Sequence, residues 1–357
     1  MTLPVPPSQD RPGPEPVRGE SPYRAERATS DLHLAVARRI VRQSNPDQIE
    51  QSARALVTGG GKHGIDLSLV WATWGADPAR PSRRRARQTC LAVIGSGRTA
   101  LLFLSDPPPE GDAGGTRAGI TERRACIEAA CSHLQTQRPQ TVTMAQALIE
   151  PTQTWAKEAF LGAGFLHVGN LTYLRRATAT EQVTPAPNLG DAAELRTFAE
   201  LEAASGRKAA DAVFGAALEA SYEQTLDCPE LCGMRSINDV LDSHRSTGQF
   251  DARLWWVILE RDSSIAATER KPLGCLLLNP CKDQQTIELV YVGLATTARG
   301  KGWAKPLLLH GMTTALRGRR GHEVACAVDD RNAPARNLYA SLGFRESGHR
   351  VAMVKSL

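Results

Sequence analysis

Two segments of the chain, one in each half, repeat the same local pattern. Residues 156–176 read AKEAFLGAGFLHVGNLTYLRR and residues 335–355 read ARNLYASLGFRESGHRVAMVK, so that in each a predicted helix ends in Gly-Phe and a strand follows. The elements predicted before each segment also follow one order, namely helices, three strands, a helix and a strand. This repetition predicts that an internal duplication produced two α/β units.

The size and composition of the chain agree with two folded units. It has 357 residues, of which 41% are hydrophobic and 23% charged, enough for about two domains with apolar cores. The net charge of +5 favours anionic partners only weakly, because so small an excess is spread over the whole length. We expect most of the eight cysteines to be free thiols in a reducing compartment. No apolar run approaches the length of a membrane span, so we expect a soluble, cytoplasmic protein.

Composition also predicts where the domains begin and end. Residues 1–28 are rich in Pro, Glu, Arg and Ser, and we predict that they are disordered. A first domain is predicted at 29–178 and a second at 188–357. The linker between them, at 179–187, lies in the stretch RATATEQVTPAPNLGD, which has no periodicity and gathers Thr, Pro and Gly.

Two further segments are predicted from local pattern. Residues 191–205, DAAELRTFAELEAAS, are expected to be helical throughout. Residues 80–87, RPSRRRAR, form the one dense basic run, and we predict a flexible, solvated loop between strands. A nucleic-acid contact is the less favoured alternative, because no aromatic residues alternate with the arginines.

A glycine-rich loop lies between a predicted strand, TIELVYVGL, and a predicted helix, WAKPLLLHGMTTALRG. Gly300 and Gly302 allow the backbone to turn tightly and to approach a ligand, and the helix directs its free N–H groups at the same place. Lys301 and Lys305 add positive charge. The pattern predicts a phosphate or pyrophosphate site, with a plain tight turn as the alternative. It lacks the spacing of a Rossmann fingerprint and the Gly-Lys-Ser/Thr of a P-loop.

Two motifs resemble those of the GNAT acyltransferase superfamily. RGKGWA at 299–304 is similar to its R/Q-x-x-G-x-G/A loop, and NAPARNLYASLGF at 332–344 is similar to its Asn-x-x-Ala-x-x-x-Tyr-x-x-x-Gly-Phe signature. The resemblance covers about residues 188–357. It implies an α/β fold with a mixed sheet, built as two tandem GNAT-like domains of which the first is degenerate. It also implies acetyl-CoA as co-substrate, and no metal.

In that superfamily the loop binds the pyrophosphate, and the preceding strand pairs with the pantetheine arm. The residues that the resemblance assigns to the cofactor are Val292, Gly293, Leu294, Arg299, Gly300, Lys301, Gly302, Trp303, Ala304, Lys305, Asn332 and Arg336. Trp303 is bulkier than the aliphatic residue often found at its position.

The resemblance also implies two catalytic residues. Glu288 lies on the strand before the loop, where several members of the superfamily carry their general base, and an exposed glutamate at a strand end is the alternative. Tyr339, in the second motif, resembles the usual proton donor to the CoA sulfur. Its alternative role is that of a core tyrosine with a tethered hydroxyl.

The segment 225–248 is predicted to be a wall of the acceptor site, because the corresponding region covers the acceptor in the resembled fold. Its charged residues suit a polar acceptor, although a solvated surface loop explains them equally well; the candidates are Asp227, Glu230, Arg235, Asp239 and His244. Cys228 and Cys232 are not predicted to bind a metal with His244, because their spacing lacks the usual two-residue gap.

The first half departs from the motif. Where the pyrophosphate loop should precede a helix it has SDPPPEGDAGGTRAG at 105–119, so we predict that this copy has lost ordinary cofactor binding. The arrangement resembles that of the mycothiol synthases, two-domain GNAT proteins whose second half is catalytic.

The sequence therefore predicts transfer of an acetyl group to a small-molecule or peptide amine, by direct attack in a ternary complex. Two alternatives stay open: a non-catalytic module that senses acyl-CoA, and nucleic-acid binding through the arginine run, whose affinity would fall steeply with salt.

Overall fold

The computed structural model describes residues 22–41, 45–77, 80–107, 116–138, 140–177, 184–281, 285–317 and 322–357. In these residues the chain forms twelve strands, all in one mixed sheet, and nine α-helices that pack on its two faces. None of the described helices is long and apolar enough to cross a membrane.

The first half contributes six strands and four helices. In chain order they are β1 (Glu26–Arg27), α1 (His33–Ile40), α2 (Pro46–Gly59), β2 (Val70–Asp77), β3 (Arg80–Gly95), β4 (Thr99–Leu104), α3 (Arg117–Gln137), β5 (Met144–Ile149), α4 (Thr154–Gly162) and β6 (Leu166–Ala177).

The second half contributes six strands and five helices. They are β7 (Ala193–Thr197), α5 (Phe198–Ser205), α6 (Arg207–Tyr222), α7 (Ile237–Ser246), β8 (Trp255–Glu260), β9 (Pro272–Cys281), β10 (Thr286–Leu294), α8 (Ala304–Leu316), β11 (Glu323–Asp329), α9 (Ala333–Ser341) and β12 (Arg345–Ser356).

The last strand of each half lies in the centre of the sheet, against the other half. The strand order is β1-β2-β3-β4-β5-β12-β6-β11-β10-β9-β8-β7. β12 pairs with β5 of the first half, β6 pairs with β11 of the second, and β6 and β12 pair with each other, all antiparallel. Because the same sequence of elements runs outward from β6 and from β12, the repeat predicted from the sequence is present as one sheet with exchanged last strands.

Each half contains one parallel pair of strands, and both pairs separate after a short contact. β4 pairs with β5 over three residue pairs, and β10 pairs with β11 over three. The parallel pairing requires a crossover, which α3 supplies in the first half and α8 in the second. A cleft therefore opens between the two strands in each half.

The two faces of the sheet carry different helices. Helices α3, α4, α8 and α9 cover one face, and α1, α2, α5, α6 and α7 cover the other, which we call the α1/α5 face. Ile287 and Leu289 belong to the core beneath α8 and α9. Because side chains alternate along a strand, Glu288 lies on the α1/α5 face.

Three expectations about local structure were wrong, at least in part. Residues 191–205 are not helical throughout, since β7 precedes α5 there; a capping box of Thr197 and Glu200 starts the helix and ends the strand. The basic run at 80–87 is not a loop but part of β3, paired with β2. Residues 22–28 are ordered: Glu26 and Arg27 pair with β2, and Ala28 is buried.

Some expectations fall outside the described residues. Residues 1–21 of the segment predicted to be disordered are among these, as are residues 108–115 of the loop at 105–119 and residues 179–183 of the linker. The domain boundaries stay a prediction.

Candidate active site

The candidate site is the cleft where β10 and β11 separate. Their last residue pair joins Glu288 to Ala325, and beyond it a cavity of about 640 Å³ opens. A cavity of this volume is in the range of small-molecule sites. It is lined by β10, β11, the glycine-rich loop, the first turns of α8 and α9, and the segment that follows α6.

Strand β10 offers one free edge to this cavity. It pairs with β9 as far as Leu294, with a bulge at Val290, but its pairing with β11 stops at Glu288. Val292, Gly293 and Leu294 all line the cavity, as the resemblance implies for the residues beside a pantetheine arm. Their peptide groups on the β11 side are therefore available to pair with an extended ligand.

The glycine-rich loop leads into a helix whose N-terminus no described side chain caps. Gly300 and Gly302 both have φ of 76°, a left-handed conformation that strains other residues, and a Cβ at either would meet no atom within 4 Å. The backbone is thus open to a ligand, beside the free N–H groups of the first turn of α8. Ala304 and Lys305 line the cavity at this turn.

The bulk of Trp303 is accommodated in the core. Its side chain is buried, at 8% exposure, and packs beneath α8. The Lys301 ammonium lies 4.8 Å from the centre of its ring, a cation–π contact that holds positive charge beside the loop.

The Arg299 guanidinium faces the protein rather than open space. It donates to the carbonyl oxygens of Ser221, Glu223, Gln224 and Leu294 at 2.7 to 3.2 Å. These bonds tie the loop to the end of α6. Arg299 therefore positions the loop, and any contact of this residue with the cofactor stays a prediction.

The two predicted cofactor residues of the second motif differ in placement. Asn332 lines the cavity and caps α9, accepting from the backbone N–H of Ala335 at 3.2 Å. Arg336 is exposed and forms an ion pair with Glu346 at 3.2 Å. Only Asn332 belongs to the cavity wall.

Glu288 is mostly buried on the α1/α5 face, immediately before the cavity residue Leu289. Burial raises the pKa of its carboxyl group to about 7, although nearby Arg175 acts to lower it. Among the described residues its carboxylate has no hydrogen-bond partner. A group of this pKa changes protonation near neutral pH, which is what a general base requires.

Tyr339 projects from α9 into the opposite wall of the cavity. Its side chain is only 5% exposed, and its ring lies 5.4 Å from that of Phe344. Burial raises the pKa of its phenol well above the ordinary value, so the hydroxyl keeps its proton. No described residue accepts a hydrogen bond from this hydroxyl, in contrast to the alternative of a tethered core tyrosine.

A network of charged groups holds the predicted acceptor wall against the end of β11. Asp227 lines the cavity, and its carboxylate accepts from the backbone N–H of Asp329 at 2.8 Å. Asp329 in turn accepts from the backbone N–H of Cys228 at 3.0 Å and from Arg331 at 2.7 Å. Glu230 accepts from Arg331 at 2.6 Å, and this bond lowers the pKa of its carboxyl group. Glu230 is thus paired with Arg331 and does not line the cavity.

The helix α7 joins the acceptor wall to the first half. Arg235 donates to the hydroxyl of Ser243 at 2.7 Å, and that hydroxyl donates to the carbonyl of Ser96, in the turn between β3 and β4, at 3.1 Å. Gly97 of this turn lies so close to α7 that a Cβ would collide with the carbonyl oxygen of Asp239. Of the predicted wall residues, Asp239 therefore contacts the first half directly, and Arg235 supports the Ser243 hydroxyl that bonds to it.

His244 and Tyr291 form a stacked pair beside the cavity. Their ring centres lie 5.8 Å apart, and the Tyr291 hydroxyl shares a hydrogen bond of 2.7 Å with Ser221. Burial lowers the pKa of His244 to about 4, so the imidazole is neutral near pH 7. Its Nε2 is buried and has no hydrogen-bond partner among the described residues. The Tyr291 ring also lies over Gly293, where a Cβ would collide with it.

Three residues of the site were not found from the sequence. Tyr291 lies within an apolar strand pattern that gives no sign of its role. Asp329 and Arg331 come just before the second motif, where the run Val-Asp-Asp-Arg-Asn at a strand end was a usable signal. No cluster of His, Cys, Asp and Glu suited to a metal occurs in the described part of the chain.

Part of the chain that forms this cleft is similar to known proteins. Residues 231–344 match the model described as the acetyltransferase (GNAT) family. The chain is also similar to a solved GCN5-related N-acetyltransferase from Sphaerobacter thermophilus, with 19% identity and a TM-score of 0.54 over 94% of this chain and 95% of that one.

Two further solved structures are similar to the chain. One is the glucosamine N-acetyltransferase region of a fungal multi-domain GH3 β-N-acetylglucosaminidase, with 12% identity, a TM-score of 0.50, and coverage of 96% of this chain and 39% of that one. The other is a tandem GNAT protein from the clavulanic acid biosynthesis pathway, with 14% identity, a TM-score of 0.43, and coverage of 92% and 93%. At these identities the structures with TM-scores of 0.54 and 0.50 bear on the fold and not on the substrate.

Proposed function

We propose that the chain, whose residues 231–344 match the acetyltransferase (GNAT) family, transfers an acetyl group from acetyl-CoA to an amine. The observation that carries the proposal is Glu288, a mostly buried carboxyl group with a pKa of about 7 where β10 and β11 separate. The acceptor is a small-molecule or peptide amine that attacks directly in a ternary complex.

The residues of the cleft fit acetyl-CoA. The uncapped N-terminus of α8 and the open backbone at Gly300 and Gly302 suit the pyrophosphate, because free N–H groups and a positive dipole end bind anions. The free edge of β10 at Val292–Leu294 suits the amide-bearing arm. When bound, acetyl-CoA supplies the thioester carbonyl to which the amine adds.

Two side chains move the protons of this reaction. The Glu288 carboxylate takes a proton from the acceptor ammonium, so that the nitrogen lone pair becomes available for attack. The Tyr339 hydroxyl donates its proton to the sulfur as the carbon–sulfur bond breaks, and the free thiol leaves.

An acyl-CoA sensor without turnover is the alternative function. The experiment that separates the two is the release of free CoA thiol across a library of amines, with the wild type and with Tyr339→Phe. For a transferase we expect turnover by the wild type and a loss of about tenfold to a thousandfold in the variant, the range of general-acid contributions. The melting temperature and the CoA affinity should stay near wild type, because the ring and its packing are kept.

The outcomes are distinct. Binding of acetyl-CoA with no thiol release for any amine would favour the sensor. A Tyr339→Phe protein that turns over at the normal rate would remove the tyrosine from the mechanism and leave the transferase intact. A grossly unstable variant would mean that the hydroxyl has a structural role.

A further inference from the structure

On the α1/α5 face, small side chains separate Glu288 from the two exchanged strands. Ala325 of β11 pairs with Glu288, and Ala327 is the next residue of β11 on this face. Ala327 is exposed and lines the cavity, so the cavity opens onto this face. On β12, Gly348 adds no side chain, and a Cβ there would meet no atom within 4 Å. A shallow trough with Ala325 and Ala327 as its floor therefore leads from the cavity to Glu288.

The next two strands present two arginines to the same face. Arg175 of β6 pairs with Ala325, and Arg345 of β12 pairs directly with Arg175. Both side chains point to the α1/α5 face, because their chain neighbours Leu174 and Phe344 belong to the core beneath α8 and α9. Both arginines are exposed there. In the row across β10, β11, β6 and β12, a carboxylate, a methyl group and two guanidinium groups therefore follow one another.

The positive charge of this arginine pair is only partly balanced. Like charges directly opposite on neighbouring strands repel each other. Arg175 forms an ion pair with Glu323, whereas Arg345 forms no ion pair within the described residues. Glu288 lies across Ala325 from the pair, and in the proposed function its carboxylate is engaged with the acceptor nitrogen. Two guanidinium groups and the Glu323 carboxylate then leave one positive charge, which matches the single negative charge of a carboxylate.

Tyr173 borders the trough beside the arginine pair. It pairs with Ala327 on β11 and with Gly348 on β12, and its hydroxyl has no hydrogen-bond partner among the described residues. The Arg350 guanidinium lies 6.0 Å from the centre of its ring. Burial raises the pKa of the phenol, so the hydroxyl keeps its proton and is a donor to an anion. The charge of Glu288 acts on the same phenol, which indicates that the two groups are near each other.

The extent of the trough sets the length of a ligand. Leu231 and Met234, from the segment after α6, belong with Leu171 of β6 to a small core on this face, so the trough does not continue past Tyr173. Across the strands, the Cα atoms of Glu288 and Arg175 are two strand spacings apart, about 10 Å. A ligand that contacts both side chains therefore needs only a short chain between its two charged groups.

We propose that the acceptor carries a carboxylate, which binds at Arg175 and Arg345 while its amine lies at Glu288. The Tyr173 hydroxyl donates a further hydrogen bond to the same carboxylate. The acceptor class is thus an amine joined to a carboxylate by a short aliphatic chain. This inference rests on the proposed function and names its acceptor class. Because Arg175 and Tyr173 belong to β6, the first half supplies part of the acceptor site.

Two amines that differ only in charge test this inference with the full-length protein. ε-Aminocaproate and ε-aminocaproamide have the same chain and the same ammonium group, but only the first carries a carboxylate. Thiol release from acetyl-CoA is measured at pH 8, where the Glu288 carboxyl group, with a pKa of about 7, is mostly ionised. We expect kcat/KM to be about tenfold or more higher for ε-aminocaproate, because hydrogen bonds to a charged group are strong.

Variants of Arg345 show whether this preference comes from the arginine pair. Arg345→Gln should bring the ratio of the two kcat/KM values near one, and Arg345→Lys should keep part of the preference because it keeps the charge. Arg317→Gln is the matched control, since Arg317 is also exposed and in no described ion pair, but follows α8 on the opposite face. It should keep the wild-type ratio.

Thermal unfolding separates binding from a structural role of Arg345. The melting temperature of Arg345→Gln should equal or exceed that of the wild type, because the like-charged neighbour of Arg175 is removed. A marked fall would show that Arg345 stabilises the fold, and would overturn the inference.

The remaining outcomes separate this inference from the proposed function. Equal kcat/KM for the two amines, or a preference that Arg345→Gln leaves intact, would overturn the inference and leave the proposed function standing. Calorimetry at the same pH covers the case without thiol release. If ε-aminocaproate then binds more tightly than the amide and Arg345→Gln removes the difference, the carboxylate site is supported and the proposed function is refuted for this class of acceptor. Failure of both amines to bind would overturn the inference.

Discussion

The two halves of the molecule share one arrangement of strands and helices but differ in every group that the proposed chemistry needs. Leu101 occupies the place of Glu288. Phe160 occupies the place of Tyr339, each packed on the Phe of its Gly-Phe pair at 4.9 and 5.4 Å. The fold has therefore been kept in both copies, whereas the residues proposed as acid and base are found in one.

The helix after the cleft shows the same contrast. In the first half, the hydroxyl of Thr116 caps α3 by accepting from the backbone N–H of Gly119 at 3.2 Å. In the second half, no described side chain caps α8. Since a cap uses an N–H group that an anion would otherwise bind, we expect the anion site at α8 rather than at α3.

In their packing the two halves depend on each other. Val351 and Met353 of β12 are part of the first half's core, and Leu174 of β6 is part of the second half's core. Neither core is complete without a strand from the other half. The residues proposed for catalysis thus lie in one half, whereas each hydrophobic core contains a strand from the other half.

The change with the largest expected effect removes β12. A chain ending at residue 344 leaves β5 and β6 with unpaired edges and takes Val351 and Met353 out of the first half's core. We expect both halves to lose cooperative folding, measured by circular dichroism during thermal unfolding. Met353→Ala is the milder companion and should cost about 2 to 5 kcal/mol in one transition. A truncated protein whose first half still melts normally would show that the halves are independent.

The next test exchanges the residue at the base position. Glu288→Gln keeps the shape of the side chain but accepts no proton, so we expect the rate to fall about a hundredfold or more, with CoA affinity little changed. In the wild type, kcat/KM should rise with pH through about 7 as the carboxyl group ionises, and the variant should lack this limb. Leu101→Glu, the reciprocal change, should create no activity, because the first half lacks the tyrosine and the open helix end.

The same variant should also change stability with pH. The folded protein has a Glu288 pKa of about 7, above the ordinary 4.5, so it binds more protons than the unfolded chain between these values. Stability contributed by this group is present below pH 4.5 and is lost as the pH rises through 7. At pH 8, Glu288→Gln should therefore be more stable than wild type, by up to about 3 kcal/mol in denaturant unfolding. If Glu288→Gln changes neither the rate nor the stability, the alternative of an exposed glutamate at a strand end is supported.

The smallest expected effect concerns the anion site. Gly302→Val forces a β-branched residue into the left-handed region and projects a side chain into the open space before α8. We expect a loss of about tenfold or more in CoA affinity by calorimetry, from a wild-type stoichiometry near one per chain. Two equivalent sites, or unchanged affinity in the variant, would contradict the contrast between α8 and α3.

Local patterns were sufficient for most elements and for the placement of the cleft. The glycine loop and the second motif predicted that Gly300, Gly302, Asn332 and Tyr339 would belong to one site, and all four line the cavity. β7 was missed because its five residues adjoin a helix with the same alanine- and glutamate-rich composition. The likeness to the mycothiol synthases stays a prediction.

By itself, the sequence determined that the chain is a duplication, that only its second half carries the two motifs, and where Glu288 and Tyr339 stand along the chain. These are properties of local order, which the chain carries without folding. The tertiary structure decided the exchange of β6 and β12, because a strand's partner depends on pairing between distant segments. It also decided the raised pKa of Glu288 and the engagement of Arg299 with backbone carbonyls, because burial and hydrogen bonding exist only once distant segments have packed together.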